Sequence, residues 1–511
     1  MVALRYLAAC SAALVVTCMS PVLAQKAKDT VRIAVNEPYP QIDAYHYPQT
    51  EASFLYNTMF ETLIAYDETK KSFVPWLAKS WTRIDDRTLE FELYDDVVFH
   101  NGNKLTADDV VHTLDYARDP NVQMPFKGRY LTVGNVEKVG PYKVRVMFKE
   151  LFADDLMHIA YRSYIYDSKV HKALSDPTDY GRKSAIGTGP YKMIDFDRTQ
   201  GVSLERFDGA KKHYFTRAPI KSVRATFLPD EQSRLANLMT GNVDMLYNVS
   251  ADNARELGNQ PNIRVTAIPS VTVTYMGLDV VGRTKRTELK DPRVRQAIFM
   301  AIDRDTLRKS IIPGGEVSDN MNTLCFDSMI TCAYTTKPPA YDPAGAKKLL
   351  AEAGYPNGFD LTIDTHTAVK PLGEAISGYL RAVGIRAEVN SVLQTVFFKR
   401  RSEGEFQSIV AYAPARNFPE ATYILDNLLG VPADDYIRDN ILSKAIADAN
   451  TTHDVEKRRA AHTIAFDRIN NLYAFMPLGS LPAVYAHSKD VKIERHPLGG
   501  TREMVSNLVW Q

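Results

Sequence analysis

This 511-residue chain carries no surplus of charge of either sign. Its 62 lysines and arginines stand against 61 aspartates and glutamates, a formal net charge of +1. A balanced chain lacks the basic face that nucleic acid or an anionic membrane would need. Cysteine is scarce, with four in all: Cys10, Cys18, Cys325 and Cys332. No run beyond the first 24 residues is apolar for long enough to cross a bilayer, which takes about 20 residues. Low-complexity tracts, long Pro/Ser linkers and repeats of 20–50 residues are absent, so separate domains strung as beads are not expected. Catalytic signatures are missing too. There is no HExxH, GxSxG, Walker loop or GxGxxG. Gly187-Thr188-Gly189-Pro190 is no phosphate loop, because Pro190 lacks a backbone donor and no Lys-Ser/Thr pair follows. The eleven histidines are scattered, and no two share metal-ligand spacing on a helix face. No cofactor is expected.

What is present begins with an export signal. Arg5 is the one charge before Lys26, Leu7 to Val16 is nearly all apolar or small, and Val22-Leu23-Ala24 offers small residues for cleavage. The expectation is a signal peptide over 1–24 and a mature chain starting near Gln25. Without Arg5 the charges balance at 61 of each sign. Cys10 and Cys18 leave with the leader. Cys325 and Cys332, close together in a secreted chain, are expected to form a short-loop disulfide.

Almost 490 residues exceed one ordinary core, so at least two interwoven domains are expected. Strand patterning marks Val31–Val35, Thr88–Leu93, Tyr142–Phe148, Val223–Leu228, Val273–Leu278, Asp360–Asp364 and Ser408–Tyr412. Helices announce their starts. Thr106 leads a capping-box sequence, Asp230 caps a helix ending at Gly241, and Asp291-Pro292 and Asp342-Pro343 each place a cap before a proline at the first helical position. A further apolar stripe runs from Leu372 to Val383 and closes at Gly384. Strands and helices alternate without a strict βαβ rhythm, which predicts an α/β fold with mixed sheets.

Five segments, in order, resemble one family. Phe73-Val74-Pro75-Trp76-Leu77-Ala78-Lys79-Ser80-Trp81 leads through Leu89–Leu93 and Val98-Phe99-His100-Asn101-Gly102 to Leu105-Thr106-Ala107-Asp108-Asp109-Val110. Gly187–Tyr191, Asp291–Arg304 and Tyr341–Pro356 follow. Together they are similar to the signatures of the extracytoplasmic receptors of bacterial peptide-type ABC importers, solute-binding protein family 5, whose members take dipeptides, oligopeptides or nickel chelates. The resemblance implies a two-lobed periplasmic binding protein (type II, cluster C) with an extra inserted domain. The implied layout is lobe I over 25–66, 186–283 and 482–511, the insertion over 67–185, and lobe II over 284–481. It further implies a monomeric, non-catalytic receptor in the periplasm. Such a receptor closes on a small solute and docks on an inner-membrane ABC permease.

The same resemblance directs attention to the ligand site. Peptide receptors of the family pair the peptide's ammonium with an Asp in a loop matching Val410 to Glu420, where this chain carries Arg416. A guanidinium suits a carboxylate or phosphate rather than an ammonium. An anionic solute such as an opine-like conjugate, a sugar acid or an acidic peptide is therefore the rival of an ordinary peptide, and a nickel chelate is a further subclass. Tyr412 could stack on the ligand. His366 follows a predicted strand end, Gln394 stands where peptide receptors place a Trp, and Tyr45 and His46 lie in an N-terminal loop that commonly lines the cleft. From other classes, a secreted hydrolase would need a nucleophile–base pair at the cleft, and a periplasmic chaperone would bind unfolded chains weakly.

Overall fold

The chain is described from a computed structural model over residues 29–48, 50–125, 127–183, 185–210, 217–284, 286–414, 418–430, 432–498 and 505–511. The expected leader lies outside these residues. Among them, no helix is long and apolar enough to cross a membrane.

Local chemistry sets the helix starts. The Asp109 carboxylate accepts from Thr106 N, the reciprocal half of a capping box that opens Ala107–Arg118. Asp230 accepts from Ser233 N ahead of Glu231–Met239, Asp291 from Arg293 N ahead of Pro292–Met300, and Asp342 from Gly345 N ahead of Pro343–Glu352. Each bond satisfies an amide that helix geometry leaves without a partner.

Three main sheets result. The first has seven strands in the order Ile263–Ile268, Ala483–Ser488, Met245–Tyr247, Thr30–Val35, Ser222–Phe227, Gly201–Arg206 and Tyr191–Asp197. Its central strand Thr30–Val35 pairs in parallel on both sides, while Ala483–Ser488 returns antiparallel from the far end of the chain. The second has five strands in the order Arg386–Val392, Asp360–His366, Ser408–Pro414, Thr272–Leu278 and Phe475–Ser480. A third, antiparallel sheet of four strands (Ala78–Asp85, Thr88–Leu93, Lys143–Phe148, Val133–Gly140) forms within one continuous stretch of the chain. The molecule is thus a two-lobed α/β protein with mixed sheets.

Thr272–Leu278 stands in the second sheet, so the chain enters the second lobe before the boundary expected at 283–284. Its continuous run of buried residues explains the placement. A strand covered on both faces belongs inside a sheet, and this one is flanked by Ser408–Pro414 and Phe475–Ser480. The lobes are joined by two crossings, at 269–271 and 481–482, which bond to each other. Leu481 N donates to Thr272 O at 2.8 Å, and Ser270 Oγ donates to Leu481 O at 2.6 Å.

The Gly187–Tyr191 motif is less a free turn than a strap laid on residues 58–61. Gly189 N donates to Met59 O at 3.0 Å, and Thr188 Oγ1 donates to the buried Glu61 carboxylate at 2.7 Å. A Cβ on Gly187 would lie 1.9 Å from Met59 O, and one on Gly189 would lie 2.4 Å from Thr58 O. Backbone cannot yield as a side chain can. Gly187→Ala is therefore expected to destabilise the protein by about 3 kcal/mol, read as a lower urea midpoint at unchanged slope.

Candidate functional site

The carboxyl ends of parallel strands are where open α/β sheets present ligand-binding groups. In the second lobe Asp360–His366 and Ser408–Pro414 run in parallel, with Thr365 opposite Val410, so both end at the same edge. There the His366 and Tyr412 rings meet edge to face with centroids 4.9 Å apart, and Phe397 lies 5.5 Å from His366. His366 is buried, and that burial pulls its imidazole down to about 4, so the ring is neutral at pH 7. Tyr412 is half-buried.

Beyond this edge the chain continues into Phe418, Glu420 and Tyr423, against which Arg129, Tyr161 and Arg162 pack. The Phe418 and Tyr423 rings stack 5.2 Å apart, and Tyr161 approaches Phe418 at 5.3 Å. Two arginines lie on these rings. The Arg162 guanidinium is 5.0 Å from the Phe418 centroid and 5.8 Å from that of Tyr423, and Arg129 is 4.2 Å from Tyr423. Such cation–π contacts are worth about 0.5–2 kcal/mol each. The helix Asp155–Arg162 ends at Arg162, which projects the side chain off its last turn into the aromatic box.

Arg162 stands out electrostatically. Its Nη2 reaches the Tyr423 hydroxyl at 3.5 Å, while its Nε is shielded from solvent with no hydrogen-bond partner. The groups that act on its charge are tyrosines, and among the described residues it forms no ion pair. A half-buried cation without a carboxylate is held at some cost, which an arriving anion would relieve.

Beside the box lies a polar network. Glu420, 1 % exposed, accepts from the Thr331 hydroxyl and from Ala421 N at 2.9 Å. Thr331 also meets His462 Nδ1 at 2.8 Å, and Thr422 meets His462 Nε2 at 3.3 Å. Arg458 donates to Thr422 Oγ1 at 3.1 Å and to the Asp154 carboxylate, with Glu420 Oε1 3.6 Å away. Burial pushes the Glu420 carboxyl up to about 7; Arg458 pulls against this and Asp154 adds to it. Cys325 and Cys332 are joined in a disulfide, Cα atoms 5.7 Å apart, whose loop carries Thr331 and bonds through Ile330 N to Pro419 O at 3.0 Å.

The residues singled out from sequence divide. His366 and Tyr412 come together at the sheet edge. Arg416 lies outside the described residues, and so does the side chain of Gln394, which opens the helix Gln394–Glu403. Tyr45 is fully buried. Its hydroxyl donates to Tyr164 O at 2.9 Å, and its ring packs on Tyr130 and Tyr166. It is a layer of the first-lobe wall and presents no surface. His46 Nε2 is 2.8 Å from the Tyr116 hydroxyl. Sequence reasoning missed Arg162, Arg129, Tyr161, Phe418, Tyr423 and the Asp154–Arg458 pair. The available signal was Tyr161-Arg162-Ser163-Tyr164-Ile165-Tyr166, where a single cation sits among aromatics. Among the described residues, no group of three or more His, Cys, Asp or Glu side chains could hold a metal ion.

Comparison with known proteins gives the arrangement a context. The family model described as "Bacterial extracellular solute-binding proteins, family 5 Middle" matches residues 72–434. The glutathione-binding protein GsiB of Escherichia coli (strain K12) is 28 % identical over 375 residues, spanning 72 % of this chain and 70 % of that protein. Two solved structures share the fold. NikA from Brucella suis, in complex with Fe(III)-EDTA, superposes with a TM-score of 0.81 at 22 % identity, covering 94 % of this chain and 100 % of the other. A dipeptide-binding protein from Pseudoalteromonas sp. SM9913, in complex with Met-Leu, superposes with a TM-score of 0.75 at 20 % identity, with the same coverage.

Proposed function

The chain belongs to the bacterial extracellular solute-binding proteins of family 5, and we propose that it captures a small peptide or peptide-like solute bearing an anionic group and delivers it to an inner-membrane ABC permease. The observation that carries the anionic part is Arg162: a shielded guanidinium without an ion-pair partner among the described residues, held on aromatic faces that leave its edge donors for a carboxylate. That the relative GsiB is named for glutathione binding, and that a structural neighbour holds Met-Leu, favours a peptide.

On this reading, residues 1–24 are the export signal and the receptor acts as a periplasmic monomer without turnover. His366 and Tyr412 line the second-lobe wall of the site, and Arg416 and Gln394 stay candidates for solute contact on the family resemblance alone. Tyr45 and His46 back the opposite wall rather than touch the solute. The second reading, an anionic non-peptide or a chelate, rests on the same guanidinium and on the Fe(III)-EDTA complex of the neighbour.

Mass spectrometry of small molecules released by denaturing freshly purified protein tests the proposal. A stoichiometric peptide or peptide conjugate with at least one carboxylate or phosphate is the expected result. A cationic or neutral solute would overturn the anionic assignment, and formation of product from the released solute would overturn the receptor reading.

A further inference from the structure

The two lobes are covalently joined only by the crossings at 269–271 and 481–482, and the inserted domain hangs on the first lobe. Contacts between the inserted domain and the second lobe therefore exist only when the lobes are shut. One such contact is built from charge. Asp154, just ahead of the helix Asp155–Arg162, receives Arg458 from the first turns of the helix Val455–Asn471. Their side chains are 13 % and 6 % exposed, and Arg458 Nη1 also donates to Ala153 O at 3.2 Å. A neighbouring contact repeats the pairing of partners. His453 Nε2 of the second lobe lies 3.0 Å from Asp86 O and 3.1 Å from Arg83 Nη1, and Arg83 is itself forked onto Asp155 at 2.7 and 2.9 Å. One apolar cluster runs through both bodies around these contacts, from Phe91 and Ile159 to Phe418 and Phe466.

We propose that the Asp154–Arg458 pair is a closure latch: it sets the share of closed molecules before any solute arrives, and so tunes affinity without touching the solute. The inference rests on the receptor reading but not on the identity of the solute. When the lobes part, both charges regain water and need no partner. When they shut, each is desolvated and depends on the other, so removing one penalises the closed state alone. Apparent affinity scales with the fraction of molecules competent to bind, so a latch that raises that fraction tightens binding by the same factor.

The latch has a built-in competitor. Glu420 Oε1 lies 3.6 Å from the same Arg458 nitrogen that meets Asp154, giving one guanidinium two carboxylates. The groups that face Glu420 are Arg458 on its helix, Asp154 on the inserted domain, Tyr66 on the strand Ile64–Asp67, and His462 through their shared contact Thr331. Opening removes Asp154 and admits water, which returns the Glu420 carboxyl toward its ordinary range. Closing therefore takes up a proton, and closure weakens as pH rises through about 7.

The test uses the full mature chain, stripped of solute by unfolding and refolding, with no ligand added. Small-angle X-ray scattering of the wild type, Asp154→Asn and Arg458→Lys reads the open–closed equilibrium directly. Circular dichroism first establishes that each variant is folded. Asp154→Asn keeps shape and removes the charge. Arg458→Lys keeps the charge but loses the fork that reaches Asp154 and Ala153 together, so it remains informative if the first variant does not fold. Both are expected to shift the ensemble toward the larger, open form, with at least a tenfold fall in the closed-to-open ratio for Asp154→Asn. Scattering curves identical to wild type in whichever variants fold would overturn the latch. Loss of binding to the co-purified solute with unchanged scattering would do the same, because it would make Asp154 a ligand contact. A cationic or neutral co-purified solute would sink the anionic-solute reading and leave this measurement intact.

Discussion

Arg162→Ala is expected to weaken binding of the co-purified solute by about 2–4 kcal/mol, roughly 30- to 700-fold in Kd, while the melting temperature stays close to wild type. The two halves have separate causes. A charge-assisted, forked contact to a carboxylate inside a closed cleft is among the stronger polar interactions a protein makes, because water no longer competes. Stability is spared because Arg162 has no carboxylate of the protein to orphan; its loss forfeits the contacts with the Phe418 and Tyr423 rings and the long bond to the Tyr423 hydroxyl. Arg162→Lys should fall between, since it keeps the charge and loses the planar fork. Isothermal titration calorimetry on the three proteins decides the matter. A shift below about 0.5 kcal/mol in the alanine variant would remove Arg162 from the site, and a large fall in melting temperature would reassign it to the fold. Arg458 supplies the contrast. Its removal leaves Asp154 without a partner in the closed form alone, so Arg458→Ala is expected to weaken solute binding by favouring the open form rather than through a lost solute contact.

The sequence carried the local grammar of the fold more fully than its tertiary assembly. Asp291-Pro292 and Asp342-Pro343 start helices because a carboxylate cap and a proline without an amide donor act within one turn, whatever packs nearby. The alternation in Thr88–Leu93 and Lys143–Phe148 likewise maps onto buried and solvated faces of one sheet. The position of Thr272–Leu278 was not legible. Its apolar run reads as a buried strand in either lobe, and only pairing with strands more than a hundred residues away assigns it to the second. The site divides in the same way. His366 and Tyr412 could be named because each ends a strand of a recognisable pattern. Arg162 could not, because a basic residue in a last helical turn already has a sufficient local reason in the helix dipole. Its role emerges when Phe418 and Tyr423, far away in the chain, close over it. The strap at Gly187 shows how a motif can be read correctly as tight backbone while the reason, the approach to Met59 O, stays hidden until the fold is known.

The steepest response of this protein is expected to be to acid. Four of the enclosed histidines carry the argument: His158, His171 and His366 at 2 % exposure and His462 at 0 %. Burial pulls the imidazoles of His171, His366 and His462 down to about 4, and that of His158 to about 3, where the Arg162 and Arg129 charges add to the effect. In the unfolded chain each returns to about 6.5. A depressed folded value means that the contribution to stability is fully present above 6.5 and is lost as pH falls through the folded value. Each histidine can withdraw on the order of 3 kcal/mol over that span, so the four together reach the whole stability of an ordinary domain. Glu420 works in the opposite direction, because its raised value favours the folded state at low pH and releases that support as pH rises through about 7. Asp426, which burial raises to about 6, and Asp319 and Asp364, also raised by burial, act with Glu420. Carboxyls held down by arginines, such as Asp291 and Asp439, act with the histidines, so the net slope follows the histidines. Urea midpoints should hold steady from pH 8 to 7 and fall steeply between pH 6 and 5. His158→Phe should flatten the fall by about a quarter at little cost at pH 7, because His158 Nε2 already lacks a hydrogen-bond partner and its ring sits between Tyr130 and Phe152. A midpoint that stays level down to pH 5, or an unaltered slope in His158→Phe, would mean that these imidazoles are protonated in the folded protein and find anionic partners there.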